Sequence, residues 1–268
     1  MATSTVTVDN AVASTKPPKP SSEHIWETGP MQLIPTPTYQ TGQTDPFTNA
    51  ASEMALVHNC IIRAINTIYH QAPLVTPSDY KSFTSYCLAT YEGLEAHHNG
   101  EEEHFFPEVE RLTGITDIMS TNISQHAAFH TAFDAWGNWL KAVKSGDKTF
   151  DGKQCVRIMD QFMAPLATHL ADEIPTLLAL AEYADKIDIQ AILKAEAEQV
   201  MAKMSKTTQL PLILLNHDTT FEGGIHRFPP LPGPVIWVLR EAFGRWNADW
   251  WKFAACGFDG RPKALYAS

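Results

Sequence analysis

The chain has 268 residues, 44% of them hydrophobic, and a formal net charge of -10 at pH 7, which is enough apolar material for a packed core. No run of lysine or arginine offsets that charge, so nucleic acid and anionic membrane surfaces are excluded as partners and small molecules or ions are favoured. Cys60, Cys87, Cys155 and Cys256 are widely separated, with no C-x-x-C pair, so neither a disulfide framework nor a thiolate zinc site is expected.

Met1 to Asn10 lacks the basic start and apolar run of a secretory signal, and no later stretch approaches the ~20 apolar residues of a membrane span. No lipidation motif is present, and the chain reads as soluble and cytoplasmic. Residues 1–44, rich in Ser, Thr and Pro, are expected to form a flexible or strap-like segment. Trp26, Met31, Leu33 and Ile34 favour a strap in its second half. A helix can start at Asp45-Pro46, with Asp45 as cap, and run to about Gln71 with Met54, His58, Ile61, Ile65 and Ile68 inward.

Thr76-Pro77-Ser78-Asp79 signals a second helix, reaching about Leu112 with Gly114 as its stop. On it, His97 and Glu101 stand four residues apart and share one face with Phe83, Cys87, Thr90, Leu94 and Phe105. An imidazole and a carboxylate aimed at an apolar interior need a partner, and a metal ion is the partner that fits this spacing. His98 and Glu102 repeat the spacing one residue on, but align less well with Leu94 and Phe105. Gly100, inside the pattern, costs on the order of 1 kcal/mol relative to alanine, which a close backbone approach would explain.

A third helix is expected from about Asp117 to Lys144, with Met119, Ile123, His126, His130, Phe133 and Leu140 in line. A fourth starts near Asp151 and presents Cys155, Ile158, Phe162, Leu166, His169, Glu173, Leu177 and Leu180. Pro165 and Pro175 should kink or break it. Lys186 to Met204, rich in Ala, Lys and Glu and without histidine, reads as an outer helix. From Thr207 onward prolines punctuate a region with four tryptophans, Trp237, Trp246, Trp250 and Trp251, read as a second patch of core. Val235 to Trp251 reads as one helix.

The inward polar set is therefore His58, His97, Glu101, His126, His130, His169 and Glu173, spread over four successive helices. Imidazoles mixed with two carboxylates able to bridge suit a pair of metal ions in a bundle core, with iron, manganese and zinc all compatible. His217 and Glu222, in Asn216-His217-Asp218-Thr219-Thr220-Phe221-Glu222-Gly223-Gly224, have two readings: turn and capping chemistry, or catalytic groups that contact substrate or orient a ligand over the metals.

With these residues in place the chain resembles the hemerythrin-like, or HHE cation-binding, family. His97-to-Pro107 is similar to its H-x-x-x-E-E-x-x-x-x-P segment, His126-x-x-x-His130 to its central pair and His169-x-x-x-Glu173 to its last. The resemblance, over about residues 48–182, implies an all-α protein: an antiparallel four-helix bundle (residues 45–182) around an oxo- or hydroxo-bridged di-iron centre. The seven residues named are its implied ligands, Glu101 and Glu173 taking the bridging places. Residues 183–268 would be a C-terminal helical extension packed on the bundle, similar to that of fungal members.

Three functions compete. The first is an O2-dependent oxidoreductase, an oxidase or oxygenase acting through a diferric peroxide on a small organic molecule held between bundle and extension. The second is a protein that binds O2 or NO reversibly, or senses or stores iron, without turnover. The third is a metal-stabilised interaction module. The added segments favour the first.

Overall fold

Side-chain caps open the first two α-helices among the described residues. Thr36 Oγ1 accepts from the Tyr39 N–H at the start of α1 (Pro37–Thr41). Asp45 accepts from the N–H groups of Phe47 and Thr48, both at 3.0 Å, at the start of α2 (Pro46–Gln71), leaving Pro46 in the first turn, where its missing donor costs nothing. This computed structural model describes residues 24–268; the Pro- and Ser-rich stretch 1–23 lies outside the described residues. Among those described there is no strand, only an isolated bridge between Cys256 and Pro262.

Then follow α3 (Tyr80–Gly100), a π-turn over Glu101–Phe105, α4 (Phe106–Thr113), α5 (Ser120–Ser145) and α6 (Gly152–Ala179). Gly114 and Gly146 end α4 and α5 at φ +74° and +89°, left-handed positions that only glycine takes without strain. Helices α2, α3, α5 and α6 form the four-helix bundle. Its core is aromatic: Phe83, Phe129, Phe133, Trp136 and Phe162 are all buried, each removing enough apolar surface from water to contribute about 2–3 kcal/mol.

The outer side of α2 is polar and holds the terminal segments. Asn59 exchanges two hydrogen bonds with the backbone of Ile34, and Asn66 donates to the carbonyls of Trp26 and Met31. Gln71 donates to the Phe253 carbonyl and accepts from the N–H groups of Tyr266 and Ala267. The buried Asn, Arg and Gln residues of α2 thus satisfy backbone groups that have no helix or sheet to pair with. Helices α7 (Ile189–Lys203) and α8 (Gln209–Asn216) cross the outer side of α2 and α3.

Several expectations need correction. The second helix runs from Tyr80 to Thr113 and stops at Gly114 as expected, but carries an unexpected π-turn over Glu101–Phe105. Pro165 and Pro175 do not break α6; Pro175 is exposed and Pro165 half-buried, on the side of the helix away from the core, where a lost backbone bond is tolerated. Val235 to Trp251 divides into α9 (Gly233–Val238), a second π-turn, α10 (Gly244–Trp246) and α11 (Ala248–Trp251). Its tryptophans are not one core patch: Trp251 is buried, whereas Trp237 and Trp246 are 64% and 79% exposed. The close approach at Gly100 is real, since a Cβ there would lie 2.5 Å from Val200 Cγ2 of α7.

Among the described residues the four cysteines are buried and free, and no helix is long and apolar enough to cross a membrane. A Cβ on Gly152 would sit 1.8 Å from the Ala72 carbonyl oxygen. Gly152→Ala must therefore separate the start of α6 from the end of α2, and is expected to cost about 2–4 kcal/mol, measured as the shift in urea unfolding midpoint at constant m.

Candidate metal centre

Seven buried side chains converge in the bundle core. His58 comes from α2, His97 and His98 from the end of α3, Glu101 from the first position of the π-turn, His126 from α5, and His169 and Glu173 from α6. Two groups within them have donor atoms close enough to hold an ion: His98, Glu101, His126 and His169, and His58, His97 and Glu101. Glu101 belongs to both. Its Oε1 is 3.1 Å from His97 Nε2 and its Oε2 3.4 Å from His126 Nε2. Glu173 Oε2 also stands between the groups, 3.3 Å from His58 Nε2 and 4.0 Å from His169 Nε2.

Local helix geometry explains how one short segment serves both groups. At about 100° per residue, His97 and His98 diverge around the α3 axis, one toward His58 of α2 and the other toward His126 and His169. Glu101 follows the first by four residues and the second by three, so it falls between them. The His58 and His97 Nε2 atoms are 3.1 Å apart, as are those of His126 and His169 at 3.0 Å. The outer nitrogens are held from behind: His58 Nδ1 lies 2.9 Å from the Leu170 carbonyl and His126 Nδ1 2.7 Å from Glu102 Oε1. Such contacts fix ring orientation and aim the second nitrogen inward.

The residues fit a cation. Among the described residues, both oxygens of Glu101 and of Glu173 are buried without a hydrogen-bond partner, as are both nitrogens of His98, an arrangement too costly to leave uncompensated. Burial, reinforced by neighbouring imidazoles, holds His97 and His98 far below the ordinary histidine range and His169 at about 2. Burial also lowers His126, against the pull of the Glu102 carboxylate. Burial and the charge of Glu173 drive Glu101 well above the carboxylate range. The lowered imidazoles of His97, His98, His126 and His169, set with His58 around two buried carboxyls, form a donor set suited to metal ions.

Six of the seven ligands expected from the sequence come together here, and His130 does not. Its ring is 38% exposed and Nδ1 lies 3.5 Å from Asp134 Oδ2. The buried face of α5 runs His126, Phe129, Phe133, Trp136 and Leu140, and His130 lies to one side of it. His98, set aside in favour of His97, stands in the cluster beside it.

The tail residues lie elsewhere. Glu222, at φ +51°, accepts from the N–H (2.9 Å) and hydroxyl (2.5 Å) of Thr36 and lies 2.6 Å from His226 Nε2, which fastens the N-terminal strap. His217 is buried against Phe228 with both nitrogens unpartnered, and burial beside the charges of Arg63 and Arg240 pushes it down to about 3. Neither belongs to the metal-ligating groups.

The sequence reading placed a small molecule between bundle and extension, but gave neither the walls of that space nor Glu196. A cavity of about 580 Å³, walled by α2, α3, α7, α8 and the Phe228–Leu231 loop, runs inward to His97 and Glu196. Glu196 is a buried residue of α7 raised to about 8 by burial and by Glu173. An acid inside an otherwise ordinary outer helix, four residues before Val200, was the available signal.

Fold and cluster together define a helical-bundle metal-binding protein with a histidine-rich double site. Residues 49–206 match the family described as the hemerythrin HHE cation binding domain, and the chain belongs to that family. It is also 32% identical over 246 residues to the dimeric xanthone biosynthesis cluster protein R11 of Cryptosporiopsis sp. (strain 8999), covering 91% of this chain and 93% of that one. No solved structure matches.

The placement of the histidines is tested by metal content after reconstitution: His98→Ala should retain roughly half or less of the parent's metal, since its group loses a ligand, while His130→Ala keeps all of it. For His217 the sign is set by a folded pKa below the unfolded one. The unfolded chain gains a proton through 6.5 that the folded chain refuses, so stability is present above that pH and falls as pH drops toward 3. In urea titrations between pH 6 and 4, His217→Phe should reduce that slope by about 1 kcal/mol per pH unit.

Proposed function

We propose that the chain is a non-heme di-iron protein that uses O2 to oxidise a small organic molecule held in the cavity between the bundle and the C-terminal extension. The observation that carries this reading is the cavity itself, which reaches His97 at the edge of the cluster through walls supplied largely by segments a minimal bundle lacks. His58 and His97 would hold one iron and His98, His126 and His169 the other, with Glu101 and Glu173 bridging. Of these residues His97 lines the cavity, so a substrate held there would lie beside the His58/His97 side of the cluster.

Bound iron would supply the redox chemistry. The chain's own residues align the imidazoles through Leu170 and Glu102, keep water out with the apolar walls, and bring the substrate to the His58/His97 side. The relative's assignment to a dimeric xanthone biosynthesis cluster supports an aromatic substrate. Manganese or zinc could occupy the same donors. The rival reading, reversible O2 or NO binding or iron sensing without turnover, draws on the five imidazoles of the cluster. In the preferred reading His217 and Glu222 act on the extension that closes the cavity, through packing on Phe228 and the tie to Thr36, and have no contact with the reacting atoms.

Anaerobic loading with Fe(II), metal quantitation and admission of air decide the matter. About two irons per chain and a visible band that decays faster when hydroxylated aromatic compounds are present support the oxidase. A band that forms and reverses with oxygen pressure, unaffected by such compounds, supports the carrier and overturns the oxidase. Glu222→Ala should keep full iron content while lowering thermal stability by about 1–3 kcal/mol, because the Thr36 contacts are lost.

A further inference from the structure

The cavity has a polar mouth and an apolar body. Glu53, Gln190, Lys194 and Glu198 are exposed at its rim, and the walls between are formed by residues such as Val57, Ile213, Leu214 and Phe228. Two buried polar side chains line its inner part, His97 and Glu196. His97 is committed to the cluster through its Nε2 contacts to His58 and Glu101. Glu196 is uncommitted: among the described residues its carboxyl has no hydrogen bond and no ion pair, although the residue is only 7% exposed.

Position reinforces the point. A Cβ on Gly100 would lie 3.1 Å from Glu196 Oε1, so the carboxyl lies over the backbone immediately before Glu101. The helix-interior glycine makes room for it. A lone carboxyl at the inner end of an apolar cavity of drug-like size is the usual arrangement by which a pocket orients a mostly apolar ligand through one polar group.

We propose that Glu196 is the substrate-anchoring residue of this cavity, hydrogen-bonding a hydroxyl on an otherwise apolar ring system and so presenting that end of the molecule to the His58/His97 side of the cluster. A hydroxyl suits the site because it both donates and accepts, matching a carboxyl in either protonation state. The proposal rests on the cavity being the substrate site, but not on oxidation taking place there. It accounts for α7, which otherwise would merely cover the bundle.

The test uses zinc-loaded protein, which cannot turn over, and calorimetric titration with 2-naphthol and naphthalene. The parent should bind 2-naphthol about tenfold more tightly, the effect of one buried hydrogen bond. Glu196→Leu should bring the ratio to within about twofold with metal content unchanged, and Glu196→Gln should restore most of it. Ile213→Trp, which fills the cavity from its wall, should weaken both probes. An unchanged ratio in Glu196→Leu overturns the proposal, as does loss of metal in that variant, which would make Glu196 a ligand instead. Unaltered binding in Ile213→Trp also overturns it by placing the probes elsewhere. If the ratio depends on Glu196 but the iron form oxidises nothing, the anchor stands and the oxidase reading falls.

Discussion

Two carboxylates without hydrogen-bond partners, Glu101 and Glu173, lie fully buried among five histidines, and most of the structure follows from how that burden is met. An ionised carboxylate in such surroundings costs several kcal/mol unless a positive charge is supplied. Among the described residues no lysine or arginine forms an ion pair with it, and burial holds His97, His98 and His169 well below the ordinary histidine range. Bound cations would remove the difficulty at both ends, taking the carboxylate charge and the imidazole lone pairs together. Metal binding and formation of the native core should then be strongly coupled.

That coupling explains details of the bundle which packing alone does not. The π-turn at Glu101–Phe105 begins at the shared ligand and places Glu102 against His126. A regular α-helix would give one inward stripe, whereas this segment must supply His97, His98 and Glu101 to the centre, Glu102 to the ring behind it, and Phe105 and Phe106 to the core. The irregular turn supplies them all, in keeping with the tendency of π-bulges to occur at functional sites.

The bundle was legible in the sequence because its signals are local. Asp45, Asp151, Gly114 and Gly146 mark helix ends through chemistry contained within one turn, and the His97/Glu101 and His169/Glu173 spacings need only helical periodicity. His98 was not, because periodicity assigns neighbours to different faces and cannot show that both faces lead to the same cluster when helices surround it. His130 failed for the opposite reason: an i, i+4 step from His126 looks equivalent to the i, i+3 step to Phe129 until the aromatic run Phe129, Phe133, Trp136 fixes the rotation of α5. Glu196 was invisible because its role depends on where α7 crosses α3, a contact between residues about a hundred positions apart.

The C-terminal extension changes what the same cluster can do. In a bare four-helix bundle the side of α2 and α3 near His97 would face water, and a centre there would meet only ligands small enough to bind directly. Here α7, α8 and the Phe228–Leu231 loop cover that side without filling it, leaving an apolar cavity with the buried carboxyl of Glu196 near His97. Glu222 and Asn216 hold this cover to the strap and the bundle through Thr36 and Tyr86, so its position is set by specific hydrogen bonds, the Tyr86 one fully buried, rather than by loose packing. The low local dielectric that makes an unpaired carboxylate costly also strengthens any polar contact a ligand makes there. On the proposed function, a cover of this kind would let the centre select an organic molecule by shape and by a single hydroxyl.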